Sequence, residues 1–316
     1  MPEGLILWGV KSIYYVLEKG TDNEYKCTIK GKILDTDFNI KGRSETTPLV
    51  VGDNVIFEKT DNNNGLIVER LDRKNEFKRL KRNGRVIQTI FANIDSLILV
   101  DSVAHPPLRP YFIDRCLFTA DYMGIPAAIV FNKIDLLDSE NSDFYYETKA
   151  MYESLGYKTL ETSALSKNGI DKLKELLKNK LSCFNGRSGV GKSSLVKELD
   201  PALKNIKIGH INKKYDRGIH TTTFSRIYHL TADTKIIDTP GMRELAVYVD
   251  KPEDVERHIR DFLKYRDKCK YQNCQHIDEP DCHVIKSVEN GKINKSRYES
   301  YLRIRETIEK LDDSVI

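Results

Sequence analysis

Gly186-Arg-Ser-Gly-Val-Gly-Lys-Ser-Ser194 has the spacing of a phosphate-binding loop: a glycine, four residues, then Gly191-Lys192-Ser193. Its glycines allow backbone conformations that turn successive N–H groups toward one centre, and a helix opening at Lys192 would add the positive end of its dipole. Residues Gly186, Arg187, Ser188, Gly189, Val190, Gly191, Lys192, Ser193 and Ser194 are therefore expected around a nucleotide's phosphates. Lys192 would reach the β- and γ-phosphates and Ser193 would ligate Mg²⁺. Base choice needs a different group. In Asn132-Lys133-Ile134-Asp135 the carboxylate of Asp135 can accept from both N1–H and the exocyclic amine of guanine. Adenine lacks that donor pair and would leave a charge unsatisfied. Ser163-Ala164-Leu165 is a second candidate base loop, in which the N–H of Ala164 could bond the guanine O6. In Asp238-Thr-Pro-Gly241, Asp238 would hold Mg²⁺ directly or through water, and Gly241 would offer its N–H to the γ-phosphate. Arg217–Thr223 lies where a switch loop belongs, and one of Thr221 and Thr222 would complete the Mg²⁺ shell; the sequence leaves both open.

The order of these motifs is unusual. The base-reading quartet precedes the phosphate loop by more than fifty residues, whereas most GTP-binding proteins place the phosphate loop first. The site is complete but threaded in permuted order. After Gly241 stands Met242, where a Ras-type GTPase has a water-orienting glutamine. A thioether cannot orient water, so His220 in the switch loop becomes the internal candidate for that task, against the plainer reading of a histidine that only packs or bonds backbone.

Cys269-x4-Cys274-x-His276-x5-Cys282 offers three thiolates and one imidazole within fourteen residues. That is a closed tetrahedral set for one structural Zn²⁺. His283, next to Cys282, is a spare imidazole that adjacency makes a poorer ligand. Cys27, Cys116 and Cys183 stand among apolar neighbours and read as small buried hydrophobes. Clustered cysteines without a secretion signal point to metal rather than disulfides.

The elements that must position these groups follow from pattern. At 316 residues the chain suits two or three domains, and 40% hydrophobic with 31% charged residues describes a globular protein. No apolar run approaches a bilayer span and no leader is evident, so a cytoplasmic protein without membrane contact, expected as a monomer, is the reading. Residues 1–72 carry short β-rich runs at Leu5–Leu17, Glu24–Leu34, Leu49–Glu58 and Gly65–Leu71, separated by turn clusters. They predict a small closed barrel, OB-type, which periodicity alone does not separate from an SH3-like one. Residues 76–245 alternate buried strands with amphipathic helices, the mark of a parallel α/β sheet: strands at Ser96–Asp101, Ala127–Phe131 and Lys158–Glu161, helices at Arg109–Met123, Asp143–Leu155 and Ile170–Leu181. Thr223–Leu230 and Lys235–Asp238 predict a last strand pair. Residues 246–316 read as helical and polar, with Tyr301, Ile304, Ile308 and Leu311 on one stripe. The net charge of +4 is small, but Arg70–Arg85 holds eight basic residues opposed by Asp72 and Glu76. That run is either a solvated linker or a contact for nucleic-acid phosphate.

Gly186–Ser194, Asn132–Asp135 and the Cys269/Cys274/His276/Cys282 spacing, in this order, resemble the circularly permuted bacterial GTPase family called ribosome small-subunit-dependent GTPase A. The resemblance spans barrel, permuted GTPase domain and C-terminal zinc domain. It implies an OB-fold first domain and a GTPase that acts late in maturation of the small ribosomal subunit. It also implies rRNA contact by both flanking domains and hydrolysis, to GDP and phosphate, stimulated by the subunit. The family's switch motif commonly has a basic residue where this chain has Ile219, so a role for charge at that position is not carried over.

Overall fold

In the computed structural model, the structure describes residues 1–10, 12–29, 39–40, 43–45, 49–80, 86–200, 225–231, 233–238 and 248–313, and of 39–45, 238 and 311–313 the backbone alone. The run Leu5–Leu17, expected as one stretch of β, doubles back as a hairpin of β1 (Glu3–Val10) and β2 (Ile13–Glu18), with a register shift between Ile6 and Trp8. Next come β3 (Glu24–Ile29), the short β4 (Asn39–Ile40) and β5 (Arg43–Glu45), then β6 (Asn54–Lys59) and β7 (Asn64–Arg70). Strands β1-β2-β3-β7-β6 form a closed barrel, β6 returning antiparallel to β1 and β3 running parallel to β7. Counting barrel strands alone, the order is first-second-third-fifth-fourth, which is the OB topology. Every second residue points inward: Tyr14 and Val16, Tyr25 and Cys27, Val55 and Phe57 fill the barrel with Ile6 and Ile67.

The basic stretch is not a solvated linker. It contains β8 (Glu76–Leu80), antiparallel to β9 (Val86–Ala92), and β4-β5-β9-β8 make a four-stranded sheet that the sequence pattern did not suggest. Three of its described charges are paired at home. Arg73 places Nε and Nη2 on the buried carboxylate of Asp53 at 2.7 and 2.9 Å and Nη1 on Glu76 at 2.7 Å. Lys74 pairs with Asp95 at 2.5 Å and Lys78 with Glu76 at 2.6 Å. The sequence concealed this because Asp53 and Asp95 lie about twenty residues to either side. Lys81, Arg82 and Arg85 lie outside the described residues.

The α/β region follows expectation closely. β10 (Ser96–Ser102) is buried along its whole length. Then come α1 (Pro110–Tyr122), β11 (Ala127–Asn132), α2 (Ser142–Ser154), β12 (Lys158–Glu161), α3 (Ile170–Leu177), β13 (Leu181–Asn185), α4 (Lys192–Leu199), β14 (Arg226–His229) and β15 (Lys235–Asp238). The helix expected to reach Leu181 stops at Leu177, because Lys178 is extended and Asn179 is left-handed (φ 56°), and Leu181 opens β13. The sheet order is β12-β11-β10-β13-β15-β14, all parallel except the edge strand β14. One face packs Ile98, Val100, Val130 and Phe184 under α3 and α4. The other packs Leu97, Leu99, Ile129 and Phe131 into a core that also takes in Leu7 and Phe77 and the C-terminal Phe262, Tyr301, Ile304 and Ile308.

Within the region read as helical and polar, residues 252–268 form short 3-10 turns. α5 (His283–Glu289) and α6 (Lys295–Asp313) follow. Tyr301, Ile304 and Ile308 are buried as their spacing predicts; the Leu311 side chain is outside the described residues. α6 is riveted to α1 by a buried ionic cluster. Arg297 sets Nη1 on Asp114 at 2.6 Å and Nη2 on Asp261 at 2.7 Å, and Asp114 also accepts from Tyr152 (2.7 Å) and Ser300 (2.5 Å). Among the described residues no helix is long and apolar enough to cross a membrane.

Candidate nucleotide site and metal centre

Because β10, β11, β12, β13 and β15 are parallel, their carboxyl ends share one edge of the sheet, where α/β folds bind ligands. The phosphate loop leaves β13 between β10 and β15. Gly186 is required by close approach: a Cβ there would lie 2.1 Å from the Val100 carbonyl oxygen. Gly191 is required twice over, by a φ of +95° and by Asn132, whose Nδ2 would lie 2.2 Å from an added Cβ.

That contact joins the two separated motifs. Asn132, 1% exposed, donates from Nδ2 to the Val190 carbonyl at 2.8 Å and accepts from Thr162 Oγ1 at 3.1 Å. One side chain thus ties the end of β11 to the phosphate loop and to the loop after β12. Lys133 is left-handed (φ 63°), and its ammonium donates to the His105 carbonyl. Asp135 stands exposed in the short turn Ile134–Leu136. The backbone N–H of Ile134 donates to Thr162 O at 3.1 Å. Ser163 is fully buried, its N–H on Asn168 O (3.0 Å) and its hydroxyl accepting from Ser166 N (3.0 Å); Ala164 beside it is half-buried. The Ser163 side chain therefore shapes the loop.

Lys192 opens α4 and its ammonium reaches back to the carbonyls of Gly186 (2.5 Å) and Arg187 (2.8 Å), spanning the loop. Ser188, Gly189 and Ser194 are exposed, Ser193 half-buried and Val190 buried. The Arg187 side chain is engaged by the protein itself. Its Nη2 lies 2.7 Å from Asp101 Oδ1 and 2.5 Å from Pro107 O, holding the β10–α1 loop against the phosphate loop. Burial pushes the Asp101 carboxyl above the usual carboxylate range, against the pull of Arg187. Asp101 and Thr162 were missed as site-shaping residues. Asp101 carried the same signal as Asn132, a polar residue ending an apolar strand; Thr162 carried none. Asp238 ends β15 beside Phe184, so its backbone borders the phosphate loop. Its side chain lies outside the described residues, as do Arg217–Thr223 with His220, Thr221 and Thr222, and Gly241 with Met242.

The second cluster is also assembled. One ligand atom from each of Cys269, Cys274, His276 and Cys282 lies within 4.8 Å of all the others. His276 Nδ1 is 3.3 Å from Cys282 Sγ and 3.7 Å from Cys269 Sγ. Burial pushes the Cys274 thiol up to about 12 and raises Cys282 as well, a cost that a bound cation would offset. Three soft thiolates and an imidazole converging on one point suit Zn²⁺. His283 is exposed and outside the group. Cys27, Cys116 and Cys183 are buried, as their neighbours suggested.

The RsgA GTPase family model matches residues 70–248, and the RsgA N-terminal domain model matches residues 3–67. The protein from Borreliella burgdorferi named small ribosomal subunit biogenesis GTPase RsgA is 40% identical over 299 residues, 95% of this chain and 94% of the relative. The Flavobacterium johnsoniae protein of the same name is 38% identical, covering 93% and 90%. Among solved structures, YjeQ from Thermotoga maritima superposes with a TM-score of 0.76 at 30% identity, covering 97% of this chain and 98% of that one. YloQ, described as a circularly permuted GTPase, gives 0.73 at 27% identity, covering 98% and 96%. Matched across barrel, nucleotide motifs and C-terminal region alike, this chain belongs to the RsgA GTPase family.

Proposed function

We propose that this protein hydrolyses GTP to GDP and phosphate in the service of small-subunit biogenesis, binding the small ribosomal subunit late in its maturation and turning over faster when bound. The observation that carries this is the bond from Asn132 to the Val190 carbonyl, which makes one pocket of a base-reading motif and a phosphate loop. In this reading Asp135 reads guanine, the Ala164 N–H meets O6, and the loop Gly186–Ser194 with Lys192 holds the phosphates. Mg²⁺ would be held by Ser193, Asp238 and either Thr221 or Thr222, and would screen charge on the β- and γ-phosphates. Gly241 would bind the γ-phosphate through its N–H, and His220 would orient water in place of the glutamine that Met242 cannot replace. Cys269, Cys274, His276 and Cys282 would hold one Zn²⁺ as a structural centre. We read residues 1–72, 76–245 and 246–316 as three functional parts of a cytoplasmic monomer, with rRNA touched by the first and last. The internal pairing of Arg73, Lys74 and Lys78 leaves Arg79, Lys81, Arg82 and Arg85 as the phosphate-contact candidates in the basic stretch.

Turnover measured with small subunits, with large subunits and with neither tests the reading. Slow basal hydrolysis raised by small subunits alone is the expected result. Absence of hydrolysis under every condition would favour the second reading, a nucleotide-dependent RNA-binding module, which Met242 supports. Stimulation by another RNA or protein instead would move the activity elsewhere.

A further inference from the structure

The cysteine cluster leaves one ring nitrogen unaccounted for. His276 Nδ1 faces the sulfurs, so Nε2 points away from them, into protein. The residue is 1% exposed. Its ring is further held edge-on against Phe262, 5.3 Å between centroids, and its backbone carbonyl accepts from Tyr298 at 2.8 Å. The ring is thus fixed, and Nε2 has no hydrogen-bond partner at normal geometry. The nearest acidic atom is Glu256 Oε2, 3.5 Å away and itself buried without a hydrogen-bond partner. Glu256 comes from the turn Pro252–His258, ahead of the whole ligand set in sequence. Arg266 Nη1 stands 3.2 Å from the same oxygen and Arg257 Nε stands 3.6 Å from the other.

We propose that Glu256 is the positioning residue of this metal centre, accepting the Nε2 proton of His276 and so presenting Nδ1 to the metal. The proposal rests on the reading that the four-residue cluster binds Zn²⁺. Its logic is the single proton of neutral imidazole. If Nδ1 is a ligand, the proton must sit on Nε2, and a buried N–H without an acceptor costs about 1–3 kcal/mol. A carboxylate at Nε2 removes that cost, selects the tautomer and makes the ring a stronger donor. The two buried atoms without hydrogen-bond partners face each other across 3.5 Å. Arg266 and Arg257 balance the carboxylate, so it enters a buried site already paired. No motif marks this residue, because Glu256 lies thirteen residues before Cys269 and shares no spacing with the ligands.

The test uses the full chain loaded with one equivalent of zinc. Competition against a chromophoric chelator should show Glu256→Ala binding zinc about 10- to 100-fold more weakly than the parent. Glu256→Gln, which keeps an acceptor oxygen, should fall between them. Long-range ¹H–¹⁵N spectra of the histidine rings should show the parent's His276 protonated at Nε2 and metal-bound through Nδ1, with the Nε2 proton exchanging faster in the alanine variant. A role in packing alone would not move that proton. Unchanged zinc affinity in Glu256→Ala, or metal on Nε2, overturns the proposal. Should the alanine variant fail to fold, Glu256→Gln decides by the same two readouts. A parent that takes up no zinc would instead refute the underlying metal reading, so the two failures are separable.

Discussion

Replacing Arg297 by methionine should be among the most destabilising single changes available in this chain. The stem volume is kept and the charge removed. Arg297 is 4% exposed and makes one contact to Asp114 (2.6 Å) and three to Asp261 (2.7, 3.1 and 3.4 Å). Burial opposes its charge, yet the two carboxylates hold the guanidinium protonated, well above its ordinary value. Without it, Asp114 keeps the hydroxyls of Tyr152 and Ser300, while Asp261 has no other cation in ion-pair range among the described residues. Breaking a buried pair from one side costs about 3–5 kcal/mol, a large part of the roughly 5–15 kcal/mol that holds a typical domain together. At about 2–4 °C per kcal/mol for a domain of this size, the melting temperature should fall roughly 6–20 °C. Calorimetry and urea unfolding of the full chain would read it, with hydrogen exchange on α1 and α6 to locate the loss. The barrel has its own core and should melt as before. Converting Asp114 and Asp261 to asparagine in the same chain should recover much of the loss, because no charge is then left buried and unpaired. A loss below about 1 kcal/mol, or a triple variant no better than the single one, would refute the view that uncompensated charge is what hurts.

Three further outcomes are expected. Gly191→Ala should weaken GDP binding at least about tenfold in a fluorescent-nucleotide titration, since strain at a positive φ costs about 1–3 kcal/mol and the new methyl displaces Asn132; unchanged affinity would mean the loop tolerates losing that tie. Asp135→Asn should lose about 3 kcal/mol or more of GTP affinity and gain xanthosine triphosphate, whose 2-oxo group prefers a donor; equal GTP affinity would show that another group reads the base. Glu76 is partly buried, which alone would raise its carboxyl, but Lys78 and then Arg73 outweigh burial and hold it below its ordinary value of 4.5. A depressed carboxylate stabilises the fold above that value and loses the contribution as pH falls through the folded one. Glu76→Gln should therefore be less stable than the parent at pH 7, with the difference closing in acid; a constant gap at all pH values would reject the ionic origin.

The nucleotide site was legible because its chemistry is local. The phosphate loop and the base-reading quartet are each a few consecutive residues that the surrounding periodicity placed at a strand end, and the cysteine set is a fixed spacing within fourteen residues. The Leu5–Leu17 hairpin was not legible, because Lys11-Ser12 has no Gly, Pro, Asn or Asp and Ser alone is a weak turn signal. Nor was β8, where basic residues that look like solvated charge answer to Asp53 and Asp95 across the fold. The same limit hid Arg187, which has the position of a phosphate contact and the partner of a structural residue, Asp101. Pairings that depend on distant chain segments have no period and no motif, so only the fold reveals them.

The cluster around Arg297 also has a consequence for how the chain is made. Asp114 and Arg297 are 183 residues apart in sequence. At about 5–20 residues per second, Asp114 is synthesised about 10 to 40 s before its cation exists. By the end of that interval the strands and helices of the nucleotide site have all been synthesised, but until then the face of α1 that α6 will cover has neither its apolar partner nor its counter-charge. The nascent protein can close its barrel early, yet it cannot finish the core behind the nucleotide site until its last helix is made. A chain stopped between Asp114 and Arg297 would leave that carboxylate without its cation beside open apolar surface, the kind of species that holdase chaperones retain. The last helix thus sets the moment at which the core behind the nucleotide site can close.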